Sequence, residues 1–162
     1  MVLNSIAYWQ SGMPFTVIDG AFSSAPINQP GVSSDRPDVV AGQDYLVDNA
    51  TIDDCAINLK AFKVQPKGTV DSEAPNQLTG PSTRQVDFSL FKSFAIRESM
   101  KLQFRWETYN LTNTPNFANP NGTFTAVDAN GNPTAANGFG TITSARAGSI
   151  PRQMQFALRL TF

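Results

Sequence analysis

The chain has no histidine and only one cysteine, Cys55, among its 162 residues. A structural zinc site therefore lacks its usual ligands, and no disulfide can close within the chain. Charge is scarce too: Asp, Glu, Lys and Arg make up 15% of the sequence, where about a quarter is usual. The formal net charge of −1 gives no electrostatic case for nucleic acid or for an anionic membrane surface. No stretch approaches the roughly 18 consecutive apolar residues of a transmembrane helix. The opening Met1-Val2-Leu3-Asn4-Ser5-Ile6 has no basic segment ahead of an apolar run and does not read as a signal peptide. These absences exclude helical membrane proteins, zinc modules and disulfide scaffolds. They leave β-barrels open, because barrel strands hide their hydrophobicity in alternation.

What is present is alternation. From Met154 the large apolar residues Met154, Phe156, Leu158, Leu160 and Phe162 fall on every second position, separated by Gln155, Ala157, Arg159 and Thr161. Period two puts all five on one face of a strand. A second strand alternates Met100, Leu102, Phe104 and Trp106 with Lys101, Gln103, Arg105 and Glu107. A third sets Val86, Phe88 and Leu90 against Gln85, Asp87 and Ser89, then drifts through Phe91-Lys92-Ser93-Phe94. The link Ala95–Ser99 suits a tight hairpin. A weaker strand over 2–11 has β-favouring residues on less distinct faces; Met13–Ile18 extends it in principle, with Pro14 as an interruption. The predicted fold is all-β and antiparallel, with strands at about 2–11, 86–94, 100–111 and 152–162 and long loops over 19–84 and 112–151. Most prolines, Pro26 and Pro30 included, fall in those two loops, with turn markers such as Asn119-Pro120-Asn121-Gly122. Phe139–Thr143 is a candidate short strand inside the second.

A soluble sandwich with one wet face also yields alternation. Three features favour a membrane. The polar faces carry Lys101, Arg105, Glu107 and Arg159, which suit a watery lumen. The runs 100–108 and 154–162 approach the 9–11 residues that cross a bilayer at a tilt. The connections are also unequal, one short link against loops of about 65 and 40 residues. Outer-membrane barrels combine short periplasmic turns with long extracellular loops in this way. Strand parity agrees: the short turn falls inside and both long loops outside. The expected lipid face is Met100, Leu102, Phe104, Trp106, Met154, Phe156, Leu158 and Leu160, and the expected lumen face is Lys101, Gln103, Arg105, Glu107 and Arg159.

Other candidates have plain structural readings beside the chemical ones. Asp128-Ala129-Asn130-Gly131-Asn132 is superficially like a calcium loop, but Pro133 takes the glycine position and Phe139 that of the bidentate Glu, so turn chemistry is expected. Asp53-Asp54 beside Cys55 reads as a solvated acidic patch, with cation binding as the alternative. Arg105 and Glu107 suit a lumen salt-bridge ladder. Tyr8, Trp9, Trp106 and Tyr109 fit interfacial aromatic girdles or simple packing equally well. No nucleophile elbow, phosphate loop or pair of catalytic carboxylates occurs, so neither an enzyme nor a cofactor is expected.

Several stretches, in order, resemble the C-terminal part of TonB-dependent receptors of the Oar-like group. They are Trp9-Gln10-Ser11-Gly12-Met13-Pro14-Phe15-Thr16-Val17, Asp35-Arg36-Pro37, and Gly80-Pro81 leading into Val86–Phe94. They continue with Phe104-Arg105-Trp106-Glu107-Thr108-Tyr109-Asn110-Leu111-Thr112-Asn113-Thr114-Pro115-Asn116-Phe117, then Phe139–Thr143, then Pro151–Phe156 and the terminal Phe162. The match is weakest over residues 40–78. The resemblance implies a barrel of about 22 strands, a movable plug, energised uptake of a bulky substrate, and an outer-membrane address. It also implies that Phe162 is the signal read by the barrel-assembly machinery. The implied partners are outer-membrane lipid, that machinery, and the remaining strands and plug, with TonB engaged only through an N-terminal part. This stretch carries no TonB box or plug and about four strands, so transport by it alone is not expected. Two alternatives compete with the transport receptor: a four-stranded unit of an oligomeric outer-membrane anchor, and a soluble β-sandwich binding module. The first normally follows a heptad stalk, which is missing here.

Overall fold

A computed structural model describes residues 1–20, 35–66 and 72–162; Pro26 and Pro30 lie outside the described residues. The described strands, in chain order, are β1 (Val2–Gln10), β2 (Pro14–Phe15), β3 (Ile18–Asp19), β4 (Asp38–Val39), β5 (Phe62–Lys63), β6 (Leu78–Thr79), β7 (Thr83–Arg97), β8 (Met100–Tyr109), β9 (Thr123–Phe124) and β10 (Gln153–Thr161). Single 3-10 turns occupy Leu59–Ala61 and Ala136–Gly138, and no described helix is long and apolar enough to cross a membrane. The chain divides into two compact units. One comprises Met1–Ser11, Ser82–Asn116 and Ala147–Phe162, and the other Gly12–Pro81 and Phe117–Arg146.

The first unit is one antiparallel sheet of four strands in the order β1-β7-β8-β10. Consecutive long strands are neighbours, which makes an up-and-down meander. β7 is longer than the 86–94 predicted from sequence, because it serves two partners at different heights. Residues 83–91 pair with β1, and residues 88–97 pair with β8. A stagger of this kind is what tilted strands in a sheared sheet produce. The β7–β8 hairpin is tighter than the predicted Ala95–Ser99 link. Pairing continues to Arg97↔Met100, with a register shift between Ala95 and Arg97, so only Glu98 and Ser99 turn. The extra residue, Ile96, absorbs the shift as a β-bulge at the sheet's end.

The second unit corrects the expectation of two structureless loops. Val17, Ile57, Ala61, Phe62, Leu78, Phe124 and Phe139 form a buried cluster, with Phe15, Val39, Tyr45 and Leu59 packed against it. Phe124 and Phe139 meet edge to face at 5.4 Å, and Tyr45 lies 5.7 Å from Phe62. Little regular structure holds this core. Two-residue strand pairs β2–β6 and β4–β5 are antiparallel, and β3–β9 is parallel. Apolar residues spaced irregularly along 13–78 and 117–142 carry no period, so periodicity could not reveal them.

Met13–Ile18 does not extend β1. Pro14–Phe15 leaves the sheet and pairs with Leu78–Thr79. Gly12 makes this departure possible: a Cβ there would lie 1.7 Å from the Gly80 carbonyl oxygen, so only glycine allows the two chains to touch. Phe139–Thr143 forms a single bridge, Cys55↔Thr141, in place of the expected strand. Gly140 at φ 77 turns the chain there and packs on the Cys55 thiol. Phe62→Ala empties a fully buried ring site and is expected to cost about 3–5 kcal/mol. Hydrogen exchange on the intact protein should then speed up across 35–66 while β7 and β8 keep their protection; uniform loss in both would contradict two separately stabilised units.

Candidate functional site

The four-stranded sheet has two faces of opposite chemistry, and its register decides which residues share each face. Leu3, Leu90, Trp106 and Phe156 lie side by side in one row across all four strands. The next rows toward the hairpin are Lys92, Phe104 and Leu158, then Phe94, Leu102 and Leu160. Toward the other end lie Ser5, Phe88, Thr108 and Met154. All eight residues expected on the lipid face thus fall on one side by parity. Trp106 stacks on Phe156 at 6.1 Å and meets Phe88 edge-on at 5.5 Å.

This face is not a core. Phe156 is 65% exposed and Leu158 70%. Leaving such side chains in water costs about 1.5–3 kcal/mol each. Soluble monomers rarely expose a contiguous apolar patch of more than a few hundred Å².

The opposite face is polar. Its rows read Asn4, Ser89, Glu107, Gln155, then Val2, Phe91, Arg105, Ala157, then Ser93, Gln103, Arg159, then Ala95, Lys101, Thr161, while Ile6 stands beside Asp87 toward the other end. The expected lumen residues Lys101, Gln103, Arg105, Glu107 and Arg159 are therefore all on it. The ladder between Arg105 and Glu107 is not formed. Arg105 Nε donates to Gln103 Oε1 at 3.0 Å, and its guanidinium lies 5.3 Å from the Phe91 ring centre. The cation thus packs on Phe91 and Gln103 in place of Glu107, two residues along the strand.

Alternation does not drift at Phe91-Lys92-Ser93-Phe94, where the sequence looked irregular. Parity holds, so Phe91 goes to the polar face and Lys92 to the apolar one. Each misplaced side chain has a partner: Arg105 covers Phe91, and the Lys92 ammonium sits 4.8 Å over the Phe94 ring. Phe94 lies toward the hairpin, so Lys92 lays its stem along the apolar face and carries its charge toward the sheet's end. Of the four aromatic candidates, Trp106 is interior to the apolar face, Tyr8 and Tyr109 are on the polar face, and Trp9 stands on the apolar face at its far rim.

The motif Tyr109–Asn116 supplies a device that sequence reading missed. Asn110 is 1% exposed with φ 50, and its side chain ties three segments together. Nδ2 donates to the Thr114 and Ile150 carbonyls, both at 3.0 Å, while Oδ1 accepts from the Thr114 N–H at 3.0 Å. The Asn110 N–H donates to Asp87 Oδ1 at 2.9 Å, which links β8 to β7. Asn113 Oδ1 accepts from the Arg152 N–H ahead of β10, and Asn116 Oδ1 from the Arg84 N–H. These asparagines anchor the end of the sheet from which both long connections leave. The signal available in the sequence was asparagine directly after a strand, where its short amide tolerates left-handed backbone.

Asp128 is a turn residue, as its sequence context suggested. Its carboxylate accepts from the Asn130 and Asn132 N–H groups and from Asn132 Nδ2, which hold it below the usual carboxylate range, the Asn132 amide foremost. Asp54 accepts from the Thr51 hydroxyl and N–H and is lowered likewise. No cluster of potential metal ligands occurs among the described residues.

A staggered antiparallel meander with one apolar and one polar face is the wall of a transmembrane β-barrel. A family model described as an outer membrane beta barrel domain matches residues 2–155, and the chain belongs to that family. Comparison with curated proteins and with solved structures gives no match.

Asn110→Ala removes the buried hub and leaves a side chain at positive φ. A cost of about 3 kcal/mol is expected, from unsatisfied backbone groups and the left-handed conformation together. Asn110→Gly relieves only the second, so denaturant unfolding of the intact protein should rank the wild type above Gly and Gly above Ala. Equal stability of all three would refute the hub.

Proposed function

We propose that this chain forms C-terminal strands of a TonB-dependent receptor barrel of the Oar-like group, in the bacterial outer membrane. In this reading it takes part in capturing a bulky substrate and in its energised uptake. The observation that carries the membrane part is the exposed apolar face. Met100, Leu102, Phe104, Trp106, Met154, Phe156, Leu158 and Leu160 face hydrocarbon, and Lys101, Gln103, Arg105, Glu107 and Arg159 face the watered interior. A β-sandwich needs this face covered by a second sheet, and its exposure speaks against that alternative. The receptor part rests on the ordered resemblance from Trp9 to Phe162.

Orientation follows from connectivity. The Glu98-Ser99 turn lies at the periplasmic end and both long connections at the outer end, as in outer-membrane barrels generally. β10 then descends to end beside the start of β8, which brings the exposed Phe162 to the periplasmic rim, where the assembly machinery works. Among the described residues β1 and β10 are edge strands. Unpaired backbone groups in hydrocarbon cost several kcal/mol each. The sheet therefore requires further strands on both sides, and the plug belongs against the polar face. Nothing in this reading asks for an enzyme.

Two measurements test it. Leu158→Arg sets a charge in the middle of the apolar face, and about 2–4 kcal/mol is lost at the bilayer midplane. Folded, heat-modifiable protein in the outer membrane should fall sharply, whereas Gln155→Arg on the opposite face should be tolerated; equal tolerance of both would exclude lipid contact. Separately, the full-length receptor to which these strands and the TonB-engaging N-terminal part would belong should retain the periplasmic domain of TonB in detergent. Outer-membrane protein that never does so would remove the receptor assignment and leave the barrel.

A further inference from the structure

We propose that a groove at the outer rim of the apolar face, beside Trp9 and Arg84, binds the phosphate of a lipid headgroup. The inference rests on the membrane reading above. The groove has a volume of about 540 Å³ and is walled by Ala7, Trp9, Arg84, Val86, Thr112 and Thr114. Trp9 and Arg84 are direct cross-strand partners on the apolar side, one on β1 and the other on β7. Both stand at the end of the sheet from which the long connections leave.

Three properties of the groove select its occupant. Its cation is presented outward: the Arg84 side chain is exposed, while its main-chain N–H is held by Asn116 Oδ1 at 2.9 Å. No carboxylate lines the groove among the described residues. A guanidinium at the edge of a hydrocarbon face, with no anion built beside it, is matched by a phosphate oxygen pair. The second property is Trp9, which is 83% exposed. An indole is costly in open water and favourable where acyl chains meet headgroups. The Thr112 and Thr114 hydroxyls, 2.9 Å apart, add a polar wall on the headgroup side.

The third property distinguishes a lipid from a free anion. The groove is closed below by Ala7 and Val86, and these two lead directly to Phe88 and then to the row Leu3, Leu90, Trp106 and Phe156. An occupant that is anionic at one end and apolar along its length fits that continuity. Soluble phosphate uses only the top of it.

The test uses the intact protein in phosphatidylcholine bilayers containing a minority of phosphatidic acid, with lipid retention read by native mass spectrometry. Wild type is expected to hold phosphatidic acid about tenfold more strongly than Arg84→Gln, the effect of one charge-assisted contact. Trp9→Ala should weaken retention in the same direction. Lys92→Gln, on the same face outside the groove, should leave it unchanged, and inorganic phosphate should not compete. Equal retention by wild type and a correctly inserted Arg84→Gln overturns the inference and leaves the barrel reading intact. Displacement by inorganic phosphate at comparable concentration overturns the lipid as occupant. Failure of the wild type to enter the bilayer overturns both readings.

Discussion

Strand parity is the constraint on which the rest of this structure depends. Because side chains alternate with a period of two, a slip of one residue in any pairing would turn a whole strand's apolar residues to the polar side. Here the parity survives three successive pairings, from Leu3 through Leu90 and Trp106 to Phe156. Each end of the sheet has a device that holds it. At the hairpin end the extra residue Ile96 takes up the register shift. At the other end Asn110, Asn113 and Asn116 bind backbone groups next to β10 and β7, and Asp87 holds the Asn110 N–H. The asparagines thus do for the register what a tight turn does on the opposite side. Connections of many tens of residues cannot do so by themselves.

The two units solve opposite solvation problems with similar residues. In the sheet, large apolar side chains share one outward face, exposed on β1 and β10 and mostly half-buried on the central strands, and most polar side chains line the other face. In the second unit, Val17, Ile57, Phe62, Phe124 and Phe139 turn inward and are buried almost completely. A water-facing body needs a dry centre, whereas a barrel wall needs a dry exterior. The same chain supplies both by changing from strict alternation to irregular spacing. The low overall charge is consistent with this division, because one face of every long strand is denied to charged residues. The three departures among the paired residues, Arg84, Lys92 and Arg97, all lie where their charges can reach toward an end of the apolar band.

Where alternation was strict, the sequence was legible. In β8 and β10 both faces could be read residue by residue, since each large apolar side chain has a polar or small neighbour. In β7 residues 85–90 could be read and the stretch that follows could not, because Phe91 and Lys92 carry polarity opposite to that of their faces. Only the cross-strand partners, Arg105 for the ring and Phe94 for the ammonium, explain why those two residues are tolerated. The hub at Asn110 fell inside the predicted strand 100–111. Its importance comes from Ile150, forty residues downstream, which no local pattern connects to it.

By itself, the sequence determined the strand class, the polarity of each face and the inequality of the connections, because all three depend on local spacing along the chain. The tertiary structure alone decided that the long connections build a packed unit, that Met13–Ile18 abandons the sheet for Leu78–Thr79, and that Trp9 comes to lie beside Arg84. Those outcomes depend on contacts between residues some sixty to more than a hundred positions apart, such as Phe15 with Leu78 and Met13 with Asn119. Periodicity carries no information at that range. Such contacts are selected only when the whole chain competes for burial and hydrogen bonds at once.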